Sequence, residues 1–447
     1  MGSNRRDFLR VSLAGAVTLP LCGKSFAWEN LSNHLAAVVP DYPLLEDLER
    51  SSFDFFWTEA DPHTGLVRDR AFADGGDTRK LSSIAATGFG LTGLCIGHQR
   101  RYRAPEEIKA RVSRTLKFLA HEAPQVNGFL YHFVEMDSGQ RSYDAEISPI
   151  DMAILLCGAI TCAEYFQDEQ IRRDAAKLYA RVEWPWALNG GKTFALQWTP
   201  EYGFSEQRWD SYCESMMLYL LAMGSTTHPV TAESWKAIQR PELAYNSCRF
   251  ISGSAPLFVH QFSHAWFDFR DKQDDYANYY QNSVTASLAH RDFCEELRSQ
   301  FPSYSRSVWG ITASDSRTGY VVWGGPPLQG PIDGSIVPAA SAGSLPFMLT
   351  ESLSVLRNLR GYYGSQIWKR YGFVDAFNPL SGWVSPDVVG IDVGISMLMA
   401  ENARTQFVWN TFMRNREVNA AMLKANFRST LTPSSFARRL LQTDRNS

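Results

Sequence analysis

The sequence predicts an all-α protein in which buried inner helices alternate with solvent-facing outer helices, as in a helical double barrel. Two kinds of helical segment alternate along the chain. Some are apolar nearly all round and must be enclosed, whereas others have a charged face that suits an outer surface. The β-branched strands that a parallel α/β sheet would place between its helices are almost absent. No long sequence repeat marks a solenoid.

Eight segments have the apolar periodicity of helices. They are 84–98, 105–122, 149–166, 169–182, 212–223, 278–298, 349–360 and 392–413. Four stretches are apolar on nearly every side and are expected inside the protein: 84–97, 149–166, 212–224 and 391–402. Two have charged faces and are expected outside: 105–122 and 169–184.

The first 27 residues are predicted to be a twin-arginine export signal. Arg5 and Arg6 precede the apolar stretch 11–21, and small residues near position 27 fit a signal-peptidase site. The apolar stretch is too short to span a bilayer. We therefore expect a periplasmic protein that begins near Trp28 and has no membrane anchor after cleavage.

Composition is that of an ordinary globular protein, and it excludes a disordered chain. Of the 447 residues, 45% are hydrophobic and 20% charged, and the net charge of −3 argues against nucleic-acid binding. A single large domain is expected over residues 28–447, with a polar tail after about residue 430. Aromatic residues reach 13% of the chain, enough to build a core or to line a sugar-binding cleft.

The candidate metal-binding and nucleotide-binding motifs are each incomplete in this sequence. Gly88–Gly93 matches G-x-G-x-x-G, but the strand that a dinucleotide site needs before it is missing, so these glycines are expected to let helices pack closely. His260 and His264 are four residues apart, yet Gln261 stands where a zinc protease needs glutamate. The cysteines lack zinc or CxxC spacing, so buried free thiols are expected. No metal or cofactor is predicted.

Carboxylates are the informative residues, because several stand at or before the starts of the most apolar helices. They are Asp144, Glu146, Asp151, Glu214 and Asp392. Ser148 with Asp151, and Ser211 with Glu214, also fit capping boxes, which is a purely structural alternative. In a helical double barrel the inner helices run parallel, so these acids would meet at one end of the tube. Glycoside hydrolysis needs such a set, with one protonated acid and one ionised base.

Eight rings in the connecting segments either stack on sugar faces or pack in the core. They are Tyr131, Trp198, Tyr202, Trp209, Tyr212, Trp266, Trp309 and Trp323. The segment 308–346 is the candidate for the loop that shapes the groove, and so for the difference between endo and exo action.

Several stretches, in order, resemble a known family. They are SFDFFW at 52–57, GFLYHF at 128–133, EISPID at 146–151, WDSYCE at 209–214, LYLLAMGSTTHP at 218–229, FSHAWFDFR at 262–270, YGFVDAFN at 371–378 and GIDVG at 390–394. Over about residues 45–427 the chain resembles the glycoamylase-like bacterial proteins of glycoside hydrolase family 144, the β-1,2-glucanases. The resemblance implies an (α/α)6 barrel, inverting hydrolysis of β-1,2-linked glucans or their oligosaccharides, and a catalytic role for Glu214.

The resulting hypothesis assigns roles to ten residues. Glu214 is the general acid, and a carboxylate among Asp144, Glu146 and Asp151 activates water, directly or through a proton relay. Sugar hydroxyls and ring faces are held by His132, Trp209, Tyr212, His260, Arg270 and Asp392.

Two alternatives stay open. A polysaccharide lyase of similar fold would use cations such as Arg270 to neutralise an acidic sugar, with a base such as His264. A non-catalytic periplasmic carbohydrate-binding protein would use the same cleft without cleaving its ligand.

Overall fold

The computed structural model of the chain describes residues 42–327 and 330–431. The predicted export signal and nearly all of the predicted polar tail lie outside these residues. The helices are α1 Tyr42–Thr58, α2 Ile84–Arg100, α3 Pro105–His121, α4 Pro149–Phe166, α5 Glu169–Ala180, α6 Trp184–Ala187, α7 Met216–Gly224, α8 Ala232–Ala237, α9 Tyr279–Glu296, α10 Pro338–Ala342, α11 Leu349–Tyr363, α12 Gly390–Thr405, α13 Phe407–Phe412 and α14 Arg416–Lys424.

The strands are short and pair only in antiparallel twos. They are β1 Arg70–Phe72, β2 Leu81–Ser83, β3 Phe133–Glu135, β4 Trp198–Thr199, β5 Gly203–Phe204, β6 Glu242–Tyr245, β7 Cys248–Ile251, β8 Lys272–Gln273, β9 Ser314–Ser316, β10 Gly319–Val321, β11 Trp368–Lys369, β12 Gly372–Phe373, β13 Phe377–Asn378, β14 Trp383–Val384, β15 Asp387–Val389 and β16 Arg428–Ser429. The pairs are β1 with β15, β2 with β3, β4 with β5, β6 with β7, β8 with β16, β9 with β10, β11 with β12, and β13 with β14.

The predicted all-α, two-layered architecture is confirmed. Inner elements are buried along most of their length; they are α2, α4, α7, α10, α12 and the two 3-10 turns Leu257–His260 and Phe262–Ala265. Helices such as α3 and α5 bury one stripe and expose their charged face. Helix α4 is long and apolar enough to span a membrane by composition, but 78% of that window is buried in the fold, as expected of a core helix.

Helices α2 and α4 approach each other through glycines, as the sequence predicted for the Gly88–Gly93 stretch. A Cβ atom added to Gly88 would lie 2.4 Å from the carbonyl oxygen of Ile154. On the facing helix, a Cβ added to Gly158 would lie 2.1 Å from the carbonyl oxygen of Gly88. Real side chains at these two positions would therefore push the backbones of the two helices apart.

Two predicted helix boundaries are corrected. The segment 212–223 becomes helical only at Met216, so α7 is shorter than its apolar pattern suggested. The segment 392–413 divides into α12 and α13 because Gln406 adopts a left-handed conformation with φ of 62°. Predicted free thiols are confirmed: the six cysteines among the described residues are all unbonded and buried.

Candidate active site

The starts of three inner helices meet at one cleft. Ser83 caps α2, Asp151 lies in the first turn of α4 and Ile391 in that of α12, and all three line a single cleft of about 900 Å³. The β1–β15 pair helps to hold these starts together, since the Gly390 N–H donates to the Asp69 carbonyl at 2.7 Å. The predicted gathering of inner-helix N-termini is therefore seen for these three helices.

His132 bridges two buried carboxylates in this cleft. Its Nδ1 lies 2.9 Å from Glu146 Oε1, and its Nε2 lies 3.5 Å from Asp151 Oδ1. The backbone fixes the same arrangement, because the His132 N–H donates to the Glu146 carbonyl and the Ile84 N–H donates to the His132 carbonyl. A neutral imidazole has one N–H, so only the protonated ring donates to both acids. The predicted sugar ligand His132 is thus well placed to orient Glu146 and Asp151.

Asp144 is the third predicted carboxylate that lines the cleft, but its side chain is exposed at the rim, whereas Glu146 and Asp151 are 4% and 3% exposed. Ser148 is the N-cap residue of α4, yet its side chain makes no capping hydrogen bond. The serine half of the predicted capping box is therefore not formed.

Glu214 lies two residues before α7, is 7% exposed and is not among the residues that line the cleft. Its carbonyl accepts a hydrogen bond of 2.6 Å from the Ser263 hydroxyl, which in turn accepts one from the Met217 N–H. Because α7 starts at Met216 with Ser215 at its cap position, Ser211 and Glu214 do not form a capping box. A catalytic role for Glu214 stays a prediction.

Asp392 is near the cleft but faces a different space. It lines a small adjoining cavity together with Asp375, and the two buried carboxyl groups interact electrostatically. Burial and then the charge of Asp392 raise the pKa of Asp375 well above its usual range. Asp375 is in turn joined to the cleft, since the Asp315 N–H donates to its Oδ2 at 2.6 Å.

Sequence reasoning missed the residues of the opposite wall. Arg70 donates to both oxygens of Asp315 at 2.7 and 2.9 Å and to Asp69 at 3.0 Å, and all three line the cleft. Burial raises the pKa of Asp315, although Arg70 opposes this effect. The segment 308–346, predicted to shape the groove, does contribute to it through Asp315, Gly319 and Tyr320.

Three predicted sugar-binding residues are buried and do not line this cleft. Trp209 is 4% exposed, Tyr212 1% and His260 3%. Tyr212 stacks on Tyr279 with ring centroids 5.8 Å apart, and its hydroxyl lies 3.3 Å from His260 Nδ1. Burial lowers the pKa of His260 to about 3, so the ring is neutral. The contacts that the structure shows for these residues are packing contacts, and their contact with sugar stays a prediction.

Arg270 is also separated from the cleft. Its guanidinium is paired with Asp268 at 2.8 Å, donates to Gln406 and lies over the Trp409 ring. Gln406 follows the last turn of α12, whereas Asp392 is in the first turn. At 1.5 Å per residue these positions are about 21 Å apart along the helix. The prediction that Arg270 shares a site with Asp392 is therefore wrong.

The cleft is acidic. Six carboxylates line it against two arginines and one histidine; they are Asp69, Asp144, Glu146, Asp151, Glu201 and Asp315, with Arg70, Arg141 and His132. Within residues 42–327 and 330–431, no group of three or more His, Cys, Asp or Glu side chains is arranged to hold a metal ion. Paired carboxylates in a polar cleft suit acid–base chemistry on a neutral substrate better than binding of an anionic one.

Comparison with known proteins finds one family model that matches part of the chain. The Glycoamylase family model, described as "Putative glucoamylase", matches residues 206–416. An exo β-1,2-glucooligosaccharide sophorohydrolase (non-reducing end) of Parabacteroides distasonis is 25% identical over 423 residues. That alignment covers 86% of this chain but only 58% of the relative, so the chain spans little more than half of the relative's length.

Solved structures of similar proteins share the fold along most of the chain. An endo-β-1,2-glucanase from Chitinophaga pinensis, in complex with sophorotriose and glucose, has a TM-score of 0.81 and 26% identity over 87% of this chain and 98% of its own. A β-1,2-glucanase from Parabacteroides distasonis has a TM-score of 0.81 and 25% identity over 87% of this chain and 60% of its own. An endo-β-1,2-glucanase from Talaromyces funiculosus, at 12% identity and a TM-score of 0.65 over 86% of this chain and 89% of its own, shares the fold alone.

The family-model match falls on the half of the chain that contains α7 and α12, and the structural matches extend the likeness across the remaining inner helices. Both agree with the (α/α)6 architecture and the family resemblance that the sequence motifs indicated. The chain is thus similar, along most of its length, to the glycoamylase-like helical barrels and to the β-1,2-glucanases that share this fold.

Proposed function

We propose that the chain is a glycoside hydrolase that cleaves β-1,2-linked glucans or their oligosaccharides by an inverting acid–base mechanism. One observation carries the proposal: two buried carboxylates, Glu146 and Asp151, are held by a single imidazole in a cleft where inner helices begin. The relatives support the substrate class, since their names describe enzymes that act on β-1,2-linked glucans or their oligosaccharides.

Inversion requires that one carboxylic acid protonate the leaving oxygen while one carboxylate activates water. Asp151 lies at the positive end of α4, which favours an ionised base. Glu146 is its partner across His132 and is likewise a candidate base, and Asp144 at the rim is the third. Glu214 is proposed as the general acid on the family resemblance.

The two residues that favoured the lyase alternative do not lie in the cleft. Its cation, Arg270, is engaged by Asp268 outside the cleft, and its base, His264, is 1% exposed with a pKa lowered by burial to about 3. The cleft has more carboxylates than cations, which would repel a uronate. A neutral glucan is therefore the better substrate.

The test is the release of reducing ends from linear β-1,2-glucan by the wild type and by the variants Glu146→Gln and Glu214→Gln. Loss of a general acid or base should lower kcat by about 100- to 10,000-fold. Glu242→Gln, at an exposed position on β6, is the matched control and should leave the rate unchanged. Activity within about twofold of wild type in Glu146→Gln or Glu214→Gln would remove that residue from its proposed role.

A binding protein would give a different result in the same experiment. It would retain β-1,2-glucan without any increase in reducing ends, and neither substitution would change a rate. Wild-type activity on other linear glucans but not on the β-1,2-linked polymer would keep the hydrolase and overturn the linkage.

We also propose that the chain is exported to the periplasm by the twin-arginine route. The paired Arg5 and Arg6 before the apolar stretch 11–21 support this proposal. Replacing both arginines by lysine should retain the protein in the cytoplasm, whereas Arg10→Lys should not. Equal periplasmic recovery of the paired variant and the wild type, measured by cell fractionation, would contradict it.

A further inference from the structure

Two exposed tyrosines stand at the entrance of the cleft. Among the large apolar side chains of residues 43–327 and 330–431, Tyr202 is the most exposed at 91%, followed by Tyr143 at 85%. Both line the cleft that contains Glu146 and Asp151. An exposed ring loses the benefit of burial, so two such rings at the mouth of one polar cleft indicate a surface for a ligand.

The backbone at Tyr143 is costly for a residue of this size. Its φ of 51° lies in the left-handed region, which bulky side chains rarely adopt and which costs about 1 kcal/mol or more. The neighbouring residue holds it there: Ser142 is buried, its hydroxyl donates to Glu135 at 2.6 Å, and its carbonyl accepts from the Ala145 N–H at 3.1 Å. Because the Tyr143 ring is exposed, packing does not explain why its backbone is strained. The strain therefore indicates a binding role for this ring.

Tyr202 is carried by the turn between β4 and β5. Its N–H donates to the Thr199 hydroxyl at 3.1 Å, which shapes the turn. The hairpin is attached directly to the strand segment that carries the catalytic candidates, because Trp198 and Ile147 exchange backbone hydrogen bonds. This backbone pairing therefore fixes the turn that carries Tyr202 relative to Glu146, which lies one residue before Ile147.

A bidentate ion pair joins the two loops. Arg141 donates to both oxygens of Glu201 at 2.5 and 2.9 Å, and its Nε donates to the Ala145 carbonyl at 2.6 Å. Arg141 thus connects the loop of Tyr143 to the turn of Tyr202. Bidentate arginine–carboxylate pairs fix geometry as well as distance.

We propose that Tyr143 and Tyr202 form an aromatic platform that packs against the faces of glucose units outside the point of cleavage, and so favours long glucan chains over short ones. This inference rests on the proposed function and assigns the residues that set its preference for chain length. Sugar rings present apolar C–H faces, which an aromatic ring covers without needing charge, whereas the acidic interior of the cleft binds hydroxyl groups. Arg141 and Glu201 are positioning residues for the platform.

The experiment compares kcat/KM on β-1,2-glucooligosaccharides of increasing length and on the polymer. The variants are Tyr143→Ala, Tyr202→Ala and their combination. Each single change should lower the ratio of kcat/KM on the polymer to that on the shortest cleaved oligosaccharide by about 3- to 10-fold, through KM rather than kcat. Tyr143→Phe and Tyr202→Phe, which keep the ring, should restore most of the ratio.

Tyr362, which is 77% exposed on α11 and does not line the cleft, provides the matched control, and Tyr362→Ala should leave the ratio unchanged. An equal loss on all lengths would overturn the platform, because it would place the rings at the bond that is cleaved. An unchanged ratio in the double variant would overturn it as well.

Failure of the proposed function is distinguished by a binding measurement. In affinity electrophoresis through gels that contain β-1,2-glucan, the wild type should be retarded and the double variant much less so. Retardation of the wild type without release of reducing ends would refute hydrolysis and keep the platform. Equal mobility of the wild type and the double variant would refute the platform whatever the activity.

Discussion

At the scale of single residues, His132 is the decisive side chain of the cleft because it touches both buried acids. Removing it would take from Glu146 its 2.9 Å contact with Nδ1 and from Asp151 its 3.5 Å contact with Nε2, and so would remove one restraint on the orientation of each acid. The sequence predicts that His132 binds sugar. The structure adds a contact that links the two candidate acids to each other.

We therefore expect His132→Ala to lower kcat on β-1,2-glucan by about 10- to 100-fold, as positioning residues commonly do. His132→Gln, which keeps one donor, should lose less. The measurement is steady-state kinetics together with the melting temperature, and His63→Ala at an exposed turn is the control. A full rate in His132→Ala would show that the two carboxylates hold their geometry without the imidazole.

At the scale of elements, the contact between α2 and α4 determines how tightly the inner layer closes. Gly88 and Gly158 face each other across it with no room for a side chain. Since α2 and α4 also begin at the cleft, a change in their spacing moves Ser83 and Asp151 relative to each other. Stability and site geometry thus depend on the same pair of helices.

We expect Gly88→Ala to lower the free energy of unfolding by about 2 kcal/mol or more, because its Cβ would collide with the α4 backbone rather than with a movable side chain. Gly361→Ala is the matched control: it lies near the end of α11, and its added Cβ meets nothing within 4 Å. That substitution should change stability by no more than about 1 kcal/mol, in the stabilising direction. Urea denaturation measures both, and equal midpoints would contradict the steric argument.

At the scale of the whole molecule, the buried pair Asp375 and Asp392 makes stability depend on pH. The pKa of Asp375 is raised well above its usual range, first by burial and then by Asp392. The folded state therefore holds a proton that the unfolded chain releases near pH 4. The stabilising contribution is complete below that pH and is lost as pH rises toward the raised pKa of the folded state.

We expect Asp375→Asn to abolish the loss of folding stability that the wild type shows as pH rises. The amide retains an acceptor for the Asp315 N–H and provides a permanent donor toward Asp392. The melting temperature of the variant should gain on that of the wild type as pH rises from about 4 to 8. A difference between the two proteins that stays constant across this range would show that Asp375 does not carry the proton.

How much could be predicted from sequence differs between local and long-range features. The bounds of α4 matched the prediction because Pro149 fixes the start of an unbroken apolar run, which is local information. The pairing of Arg70 with Asp315, 245 positions away, has no local signal. Trp209 and Tyr202 both sit in aromatic connections, yet one is buried and the other is at the rim of the cleft. Composition gives the number of rings but not which side of the chain they face.

The six enclosed cysteines have one more consequence. Burial raises the pKa of the Cys157 and Cys213 thiols, so the reactive thiolate is scarce, and Cys95 and Cys162 approach to 3.5 Å without a covalent link. Among the residues that the structure describes, the barrel therefore holds its shape by packing, hydrogen bonds and ion pairs, without a disulfide. We expect these residues to fold equally well in a reducing and in an oxidising compartment.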